Sequence, residues 1–450
     1  MQLARQGFSV TMEWRFGEPA TDPEESIHMP IFETNAIRKQ FPALAILVNG
    51  QPAIFLDNPG GTQVPQAVID AICSYLTSSN ANHGGAFVTS QRSDAILDDA
   101  HAAMADMVNA SSPNEIIFGP NMTTLTFSIS RALGRQIGPG DEIVLTRMDH
   151  DANITPWVMM AQDRGATVRW VDFDVEDYTL DMAGLRDVLS ERTKIVAVGY
   201  ASNALGTVHD VATITKWAHE VGALVYIDAV QYAPHGPIDV QALGCDFLAM
   251  SGYKFFGTHI GAVYGRHDLL ESLPAYKVRP ATNEPPGKFE TGTQNHEGIA
   301  GTLAAVNHLA EIGRQYGGEF EDRFPGFSGR RLHLKTAMTV LRAYDHTLSA
   351  AILDELETLP GVRIHGITDR SRLNERVPTV SFTWPDRHPR VIATYLGQQG
   401  IFVWDGNYYA LAVTERLGLE DQGGMVRVGA VHYNTLAEIQ RLGHVLRRLM

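Results

Sequence analysis

The chain has 450 residues, of which 44% are hydrophobic and 19% are charged, and its formal net charge at pH 7 is −15. This composition is typical of a globular protein, and the negative charge without any block rich in Lys or Arg argues against a nucleic-acid surface. No apolar stretch reaches the length of a membrane helix, and two cysteines, Cys73 and Cys245, cannot form a disulfide framework. We therefore expect a cytoplasmic protein without a membrane or nucleic-acid partner.

Changes of pattern along the chain predict its domains, since the length allows two or three of them. Residues 1–30 lack the apolar core of a signal peptide and are predicted to form a flexible N-terminal arm. Residues 53–320 are predicted to form a large domain and residues 321–450 a small C-terminal one. Residues 31–52 are expected to pack on the small domain.

Strand and helix patterns alternate through the large domain. After a short strand at residues 53–57, seven apolar runs are predicted as strands at residues 115–118, 142–146, 167–171, 194–199, 224–227, 247–250 and 260–264. Helical spacing of apolar residues lies at 65–77, 90–108, 123–133, 154–163, 182–189, 214–221 and 299–315. Such alternation predicts a mostly parallel sheet covered by helices on both faces.

From about residue 341 the pattern changes. One helix is followed by predicted strands at residues 362–365, 379–382, 400–404 and 425–429, with helices between and after them. This order predicts a smaller α+β unit.

Two predicted neighbouring strands end in the polar residues Asp228 and Lys254. Ligands of open α/β sheets sit at the carboxyl ends of the strands. A lysine in apolar surroundings loses its proton readily, which suits Schiff-base chemistry with an aldehyde, and an aspartate suits the pyridinium nitrogen of pyridoxal phosphate. Taken alone, the pair also fits an exposed loop lysine beside a strand-end aspartate.

The motif D-A-V-Q from Asp228, followed by S-G-Y-K ending at Lys254, resembles the fold type I enzymes that use pyridoxal phosphate. It is most similar to the class V aminotransferase superfamily, in the group of the cysteine desulfurases and selenocysteine lyases, and further matches run from about Phe55 to Asn434. The resemblance implies the α/β, aspartate aminotransferase-like fold, pyridoxal 5'-phosphate as cofactor, a homodimer and a small amino-acid substrate. It also implies that Lys254 forms an aldimine with the cofactor and moves the Cα proton, while Asp228 keeps the ring nitrogen protonated.

A phosphate site is predicted at residues 120–124, between a strand and a helix. Helix N-termini bind phosphate through free N–H groups, although threonine is also a common cap without any ligand. The resemblance implies that Thr123 and Thr124 hold the cofactor phosphate here. It adds Ser251 as a phosphate ligand and Tyr253 at a position where the family more often has histidine.

His150 lies in the segment Asp149-His150-Asp151-Ala152-Asn153, which resembles the family motif E-H-x-A-N. The resemblance implies that this histidine stacks on the pyridine ring of the cofactor. A metal cluster is the rival interpretation, but adjacent residues on a turn rarely converge on one ion, so we expect no metal. A solvated turn remains the third possibility.

Two amides and a threonine complete the predicted cofactor contacts. Asn203 lies in a segment that resembles the motif S-N-x-x-G-T, and with Gln231 it would contact the ring hydroxyl. A loop asparagine bonded to its own backbone is the alternative. Thr293 lies in a segment similar to E-x-G-T-x-N, which implies that it reaches the phosphate of the neighbouring subunit's cofactor.

Arg427 begins a segment that resembles R-x-S-x-x-x-Y-N-T, which implies that it binds the substrate α-carboxylate. A guanidinium suits this bidentate role, and a surface arginine on an edge strand is the alternative. Asn58, in the turn after the strand at 53–57, resembles a family loop near the substrate.

The important departure lies at residues 400–410, which align with the desulfurase loop that carries the persulfide-forming cysteine. Tyr409 stands at the cysteine position, and Trp404 stands where desulfurases have a second arginine. Trp404 and Asn407 are predicted to contact the substrate. Neither Cys73 nor Cys245 is on this loop.

The leading prediction is therefore a cysteine desulfurase-like carbon–sulfur lyase acting on cysteine or a cysteine conjugate. Without the loop cysteine, β-elimination is chemically more natural than persulfide transfer. An aminotransferase or an epimerase of the same superfamily is the alternative, and a non-catalytic binding protein would not need Lys254. An NAD-dependent dehydrogenase is disfavoured because no G-x-G-x-x-G follows a strand.

Overall fold

A computed structural model describes residues 33–450, so the predicted arm at residues 1–30 lies outside the described part of the chain. Its central element is a seven-stranded sheet. The strands follow the spatial order Ile116–Gly119, Gly261–Gly265, Phe247–Ser251, Leu224–Asp228, Thr193–Gly199, Glu142–Thr146 and Thr167–Val171. Gly261–Gly265 runs antiparallel to both neighbours, whereas the remaining pairs are parallel. The mostly parallel sheet predicted from the alternating pattern is confirmed.

Helices surround this sheet, and each face of it carries its own apolar cluster. The helices of this part are Gln66–Ser78, Val88–Val108, Met122–Gly134, Thr155–Arg164, Met182–Val188, Val211–Glu220, Val240–Leu243, His267–Ser272 and His296–Tyr316. On the strand Leu224–Asp228, Val225 and Ile227 join one cluster and Tyr226 joins the other. Burial on both faces explains why the inner strands appear in the sequence as mainly apolar runs, whereas the edge strand Thr167–Val171 is mostly exposed. No helix within residues 33–450 is long and apolar enough to cross a bilayer.

A second, four-stranded sheet is antiparallel throughout. Its spatial order is Arg363–His365, Thr379–Thr383, Met425–Gly429 and Trp404–Gly406. Its helices are Pro389–Gln398 and Leu436–Arg447, whereas Val413 of the helix Leu411–Arg416 packs in the main cluster of the large sheet.

The long helix Gly329–Glu357 connects the two parts. Leu334 and Leu341 pack in the main cluster of the large sheet, while Leu348 and Leu356 pack in the cluster under the small one. This helix contributes to the apolar cores of both parts, so burial does not assign it to one domain. The predicted domain boundary between residues 320 and 321 therefore stays a prediction.

The predicted strand at residues 400–404 is divided between two pairings. Ile401–Phe402 pairs in parallel with Ile54–Phe55, whereas Trp404–Gly406 joins the small sheet beside Met425–Gly429. Pairing partners distant in sequence make this division, which an apolar run by itself does not reveal. The chain before Ile54 forms the helix Thr34–Arg38 and a hairpin of Leu47–Val48 with Gln51–Pro52. The switch at Val403 brings Trp404 into the small sheet, opposite Arg427.

Candidate active site

Two adjoining cavities lie at the carboxyl ends of the large-sheet strands, and most of the predicted site residues line them. The larger has a volume of about 950 Å³ and the smaller of about 80 Å³. The predicted residues that line one or both are Thr123, His150, Asn203, Asp228, Gln231, Ser251, Tyr253, Lys254, Trp404, Asn407 and Arg427. Strand ends of a parallel sheet meet at one edge, which is why residues so far apart in sequence converge.

Lys254 is buried on the turn that follows the strand Phe247–Ser251. Its amine donates a hydrogen bond to the carbonyl of Pro59 and lies 5.1 Å from the ring centroid of Tyr253. Burial lowers the pKa of Lys254 to about 7, with the charge of Arg427 adding to the decrease and Asp228 opposing it. A large fraction of the amine is therefore unprotonated near neutral pH, the form that attacks an aldehyde.

Asp228 ends the strand Leu224–Asp228 and is buried. Burial raises its pKa to about 6, while the N–H of Val230, 2.9 Å from Oδ1, and the charge of Lys254 lower it. The carboxylate is thus mainly ionised at pH 7. A buried anion at this edge suits a protonated pyridine nitrogen.

Two buried amide oxygens in the smaller cavity indicate whether its lining suits pyridoxal phosphate. Asn203 and Gln231 use their amide NH₂ groups, donating to the carbonyl of Tyr408 and to Oγ1 of Thr379, each over 3.0 Å. Their oxygens, Oδ1 and Oε1, have no hydrogen-bond partner among the described residues. Unpaired buried polar atoms are rare in native proteins, so two in one cavity call for a polar ligand. The ring hydroxyl of the cofactor is such a group.

The predicted phosphate site is at the start of the helix Met122–Gly134. Asn121 caps this helix, because its side chain accepts a 2.8 Å hydrogen bond from the N–H of Thr124. Thr123 lines both cavities, and Ser251 lines the smaller one. Thr124 lines neither cavity, so the structure brings Thr123 and Ser251 to the site and leaves Thr124 in the cap.

His150 has a defined protonation state. Its Nδ1 accepts a 3.0 Å hydrogen bond from the N–H of Ala152, which leaves the hydrogen on Nε2. Burial lowers the pKa of His150 to about 3, and the charges of Lys254 and Arg427 contribute. The ring is neutral at pH 7 and free to stack. No group of three or more metal-ligating side chains within residues 33–450 is placed to hold an ion.

Asp149 also belongs to the site, although it was not among the predicted site residues. It lines the smaller cavity, fully buried, and accepts hydrogen bonds from the hydroxyl of Thr146 and, over 2.9 Å, from Nδ2 of Asn153. Burial raises the pKa of Asp149 to about 7, and the charge of Asp228 raises it further. The signal in the sequence was its position directly before His150, three residues after the buried strand Glu142–Thr146.

Arg427 lines the larger cavity with only 3% of its surface exposed. Its Nη1 donates to the carbonyl of Asn203 over 2.9 Å, and the guanidinium lies 4.2 Å from the ring centroid of Tyr408. Its buried Nε has no hydrogen-bond partner among residues 33–450. Burial lowers the pKa of Arg427 to about 10, so the side chain stays charged at pH 7. A ligand carboxylate would complete its hydrogen bonds.

The segment from Trp404 to Tyr409 forms one wall of the larger cavity. Trp404 packs against Gly60 so closely that a Cβ atom at Gly60 would lie 2.1 Å from the indole Nε1. Tyr408 and Tyr409 have φ angles of 57° and 60°, in the left-handed region that non-glycine residues rarely adopt.

Hydrogen bonds hold this strained backbone in place. The N–H of Asp151 donates to the carbonyl of Tyr409 over 2.6 Å, and Asn407 accepts from the N–H of Tyr409 over 3.0 Å. Asn407 also donates to Glu420 over 3.0 Å. Strain of this kind persists only where the surroundings over-determine it, so this wall is fixed.

A family model described as Aminotransferase class-V matches residues 54–321 and 331–442. The chain belongs to the class V aminotransferase family. A probable cysteine desulfurase of Streptomyces coelicolor is 36% identical over 431 residues, which span 92% of this chain and 96% of that protein. A cysteine desulfurase of Dickeya dadantii is 32% identical over 437 residues, which span 94% and 97% of the two chains.

Solved structures of cysteine desulfurases share the fold of this class V enzyme. The apo structure from Thermococcus onnurineus has a TM-score of 0.80 at 28% identity, over 92% of this chain and 97% of that one. The S-sulfonic acid form of CsdA from Escherichia coli has a TM-score of 0.77 at 27% identity, over 93% and 98%. The comparisons confirm a cysteine desulfurase-like enzyme that depends on pyridoxal phosphate.

Asn58 has a different position in this class V enzyme from the one predicted. It is buried and lines neither cavity. Its Nδ2 donates to the carbonyls of Phe55 and Gly429 and to Oδ1 of Asn434, over 2.8 to 3.0 Å, and its Oδ1 accepts from the hydroxyl of Tyr433. Asn58 thus ties the turn to the small sheet, and its side chain reaches neither cavity.

Thr293 of this class V enzyme also lies away from the two cavities. It is exposed and lines a separate surface cavity of about 1050 Å³. That cavity shares no lining residue with the other two within residues 33–450. Its role toward a partner subunit stays a prediction.

Proposed function

We propose that this class V enzyme is a carbon–sulfur lyase that acts on cysteine or an S-substituted cysteine by β-elimination. The observation that supports this most is the position of its thiols. Cys245 is 1% exposed and precedes the strand Phe247–Ser251, so it lies at the opposite edge of the sheet from Lys254. Cys73 lies on the helix Gln66–Ser78. Neither thiol lines the active-site cavities, so neither can accept the substrate sulfur there.

The chain supplies a holder for the substrate and an acceptor for its proton. Arg427, oriented by the Asn203 carbonyl and the Tyr408 ring, binds the α-carboxylate. The chemistry that pyridoxal 5'-phosphate supplies when bound is an electron sink for a carbanion at Cα, which an ionised Asp228 supports. Lys254 Nζ accepts the proton from Cα, a role that its lowered pKa permits at neutral pH.

The bonds and electrons of the proposed reaction balance without an oxidant. The Cα–H bond breaks and its proton goes to Lys254, and the Cβ–S bond then breaks with its electron pair leaving on sulfur. The released three-carbon enamine reacts with water to give pyruvate and ammonia. The products are therefore a thiol, or sulfide from cysteine itself, together with pyruvate and ammonia.

The fixed wall from Trp404 to Tyr409 also favours elimination over sulfur transfer. A loop that accepts sulfur needs a thiolate at its tip to form the persulfide. Here Asp151 and Asn407 hold the backbone of Tyr409 by hydrogen bonds. The exposed phenol of Tyr409 cannot replace a thiolate as a sulfur acceptor, because it contains no sulfur and forms no persulfide.

Product analysis of the yellow holoenzyme tests the proposal. The enzyme is given L-cysteine and S-benzyl-L-cysteine, with Lys254→Ala as the inactive control. We expect equal amounts of pyruvate and ammonia with every substrate that is cleaved. Alanine with sulfide would instead establish desulfuration, and turnover that requires a 2-oxo acid would establish an aminotransferase. Conversion of the substrate to its D-form would establish an epimerase.

We also propose a homodimer in which Thr293 of each subunit contacts the phosphate held by the other. The separation of Thr293 from its own cavities supports this arrangement, because one chain alone leaves the threonine without a cofactor to bind. Sedimentation of the holoenzyme tests the dimer, and a monomer at micromolar concentration would contradict it.

A further inference from the structure

We propose that the group linked to the substrate sulfur is bulky and positively charged, and that it binds in the outer part of the larger cavity. This inference rests on the proposed lyase function, since it describes the group that leaves with the sulfur. The outer part is defined by the side chains of Trp404, Tyr409, Asp151 and Glu420, all of which line the larger cavity.

The substrate is oriented from the inner end of the cavity. Arg427 is buried there, and its Nε has no hydrogen-bond partner among the described residues. Lys254 lies in the same cavity, close to where Cα must be for proton transfer. With the carboxylate held by Arg427 and Cα beside the amine of Lys254, the sulfur substituent extends toward the exposed mouth. The volume of about 950 Å³ is at the upper end of the range for drug-sized ligands. The cofactor would take part of it, since His150 and Lys254 line both cavities, and the outer part remains for a group larger than the side chain of cysteine.

Aromatic faces are available at the mouth. Tyr409 is 73% exposed and Trp404 is 51% exposed, although both line the cavity. The imidazole of His150 covers one face of Tyr409, which leaves the other face open. Large exposed aromatic side chains at the entrance of a cavity indicate a binding surface. An aromatic face binds an apolar group or, through its quadrupole, a cation.

The charges at the mouth decide between these ligands. Asp151 and Glu420 line the cavity, and neither forms an ion pair within residues 33–450. Asp151 accepts from the Thr155 hydroxyl over 2.7 Å, and Glu420 accepts from Asn407 over 3.0 Å. Hydrogen bonds from neutral donors stabilise both carboxylates without cancelling their charge.

The other charged groups do not reverse this conclusion. A third carboxylate of the cavity, Asp405, pairs over 2.8 Å with Arg390, a largely exposed side chain that does not line the cavity. His150 is neutral, because burial lowers its pKa to about 3. Arg427 and the partly protonated Lys254 are the basic side chains of the lining within residues 33–450, and both are buried at the inner end. The mouth therefore combines open aromatic faces with unpaired negative charge, which favours a cationic group.

Three S-substituted L-cysteines of similar size test the proposal with the holoenzyme. The cationic probe carries a 2-(trimethylammonio)ethyl group, the neutral probe its isostere 3,3-dimethylbutyl, and the anionic probe a 2-carboxyethyl group. We expect kcat/KM for thiol release to be about tenfold higher for the cationic probe than for its neutral isostere, the size of a favourable cation–π contact. The anionic probe should be the poorest, and added salt should reduce the differences.

Substitutions test whether the acidic residues at the mouth cause the preference for the cationic probe. Glu420→Gln and Asp151→Asn are each expected to lower the cation-to-neutral ratio several-fold. Glu415→Gln, an exposed acid on the neighbouring helix that does not line the cavity, should leave the ratio unchanged. Either acid variant alone suffices if the other fails to fold, and a circular dichroism spectrum establishes folding.

A binding measurement separates this inference from the proposed function. Calorimetry with the Lys254→Ala variant measures affinity for the three probes without turnover. Equal affinity and equal kcat/KM for the cationic and neutral probes would overturn the cationic subsite, even if both are cleaved. Tighter binding of the cationic probe with no thiol released by the wild-type enzyme would overturn the lyase and leave the subsite supported.

Discussion

The ring of Tyr409 stacks on the imidazole of His150, with centroids 5.6 Å apart and planes inclined by 19°. The backbone reinforces this contact, since the carbonyl of Tyr409 accepts a 2.6 Å hydrogen bond from the N–H of Asp151. The resemblance of this loop to that of the desulfurases implies that their persulfide-forming cysteine occupies this position. The ring therefore stands where a thiol would be, and it is joined to the histidine expected to stack on the cofactor.

Replacing Tyr409 tests the role of its side chain while the backbone hydrogen bond is kept. Tyr409→Ala removes the stacking and the aromatic face but keeps the backbone hydrogen bond, and the side chain is mostly exposed. We expect the free energy of unfolding to change by less than about 0.5 kcal/mol. For S-benzyl-L-cysteine we expect kcat/KM to fall about tenfold, from the loss of one aromatic contact. Tyr409→Phe is the matched control and should keep most of the activity, and an unchanged kcat/KM in the alanine variant would contradict a role for the ring.

Arg427→Leu tests the carboxylate site. Removing one partner of a buried, charged hydrogen-bonded pair costs about 2–5 kcal/mol, so kcat/KM should fall by about 30-fold to more than 1,000-fold. The yellow absorbance should remain, because Arg427 is not a predicted cofactor ligand. Steady-state kinetics with absorbance spectra measure both effects. Arg427→Lys should recover only part of the loss, since an ammonium cannot form the bidentate pair.

The pKa of Lys254 predicts how the apoenzyme takes up its cofactor. Only the unprotonated amine attacks an aldehyde, and burial lowers the pKa of this amine to about 7. The rate constant for formation of the yellow holoenzyme should therefore rise about tenfold per pH unit below pH 7 and level off above it. Stopped-flow absorbance measures the rate, and Nα-acetyl-lysine is the control, with a rise that continues to about pH 10. A rise of the protein reaction through pH 10 would show an ordinary lysine.

Asp149 is expected to make the apoenzyme less stable as the pH rises from about 4 to about 7. Burial raises its folded-state pKa to about 7, above the ordinary 3.8. Its contribution to stability is fully present below about pH 4 and is lost as the pH rises to about 7. Relative to wild type, Asp149→Asn should therefore gain stability across that window, at about 1.4 kcal/mol for each pH unit. Urea unfolding at pH 4 and pH 8 measures the difference, and a difference independent of pH would refute the raised pKa.

Mixed dimers test whether Thr293 serves the partner's cofactor. Lys254→Ala and Thr293→Val subunits are purified separately and then mixed under conditions of subunit exchange. If the threonine acts across the interface, each mixed dimer contains one site with both Lys254 and the partner's Thr293 intact. We expect activity and tight cofactor binding to reappear in the mixture at up to half the wild-type value per mixed dimer. No gain over the separate variants would place Thr293 at its own subunit's site or at none.

Much of the fold could be predicted from the chain because its signals are local. Six of the seven strands of the large sheet are mainly apolar runs buried on both faces, whereas the edge strand Thr167–Val171 is mostly exposed. Lys254 and Asp228 could be selected because polar residues that end buried strands lie at one edge of a sheet. The cytoplasmic location, the domain boundaries and the roles of the site residues stay predictions.

Only the tertiary structure decided what depends on contacts between distant segments. It divided the predicted strand at residues 400–404 between two sheets, and it used the side chain of Asn58 to join the turn to the small sheet rather than to bind substrate. It also raised the pKa of Asp149 by removing water from a carboxyl group that the sequence presents as an ordinary acid. Hydrogen-bond partners and desolvation depend on neighbours in space. For Asn58 these neighbours lie hundreds of residues away in the chain, and for Asp149 they come from several elements of the fold. The sequence alone determined which chemical groups exist and which strands carry them, whereas folding determined which of these groups remain free to act.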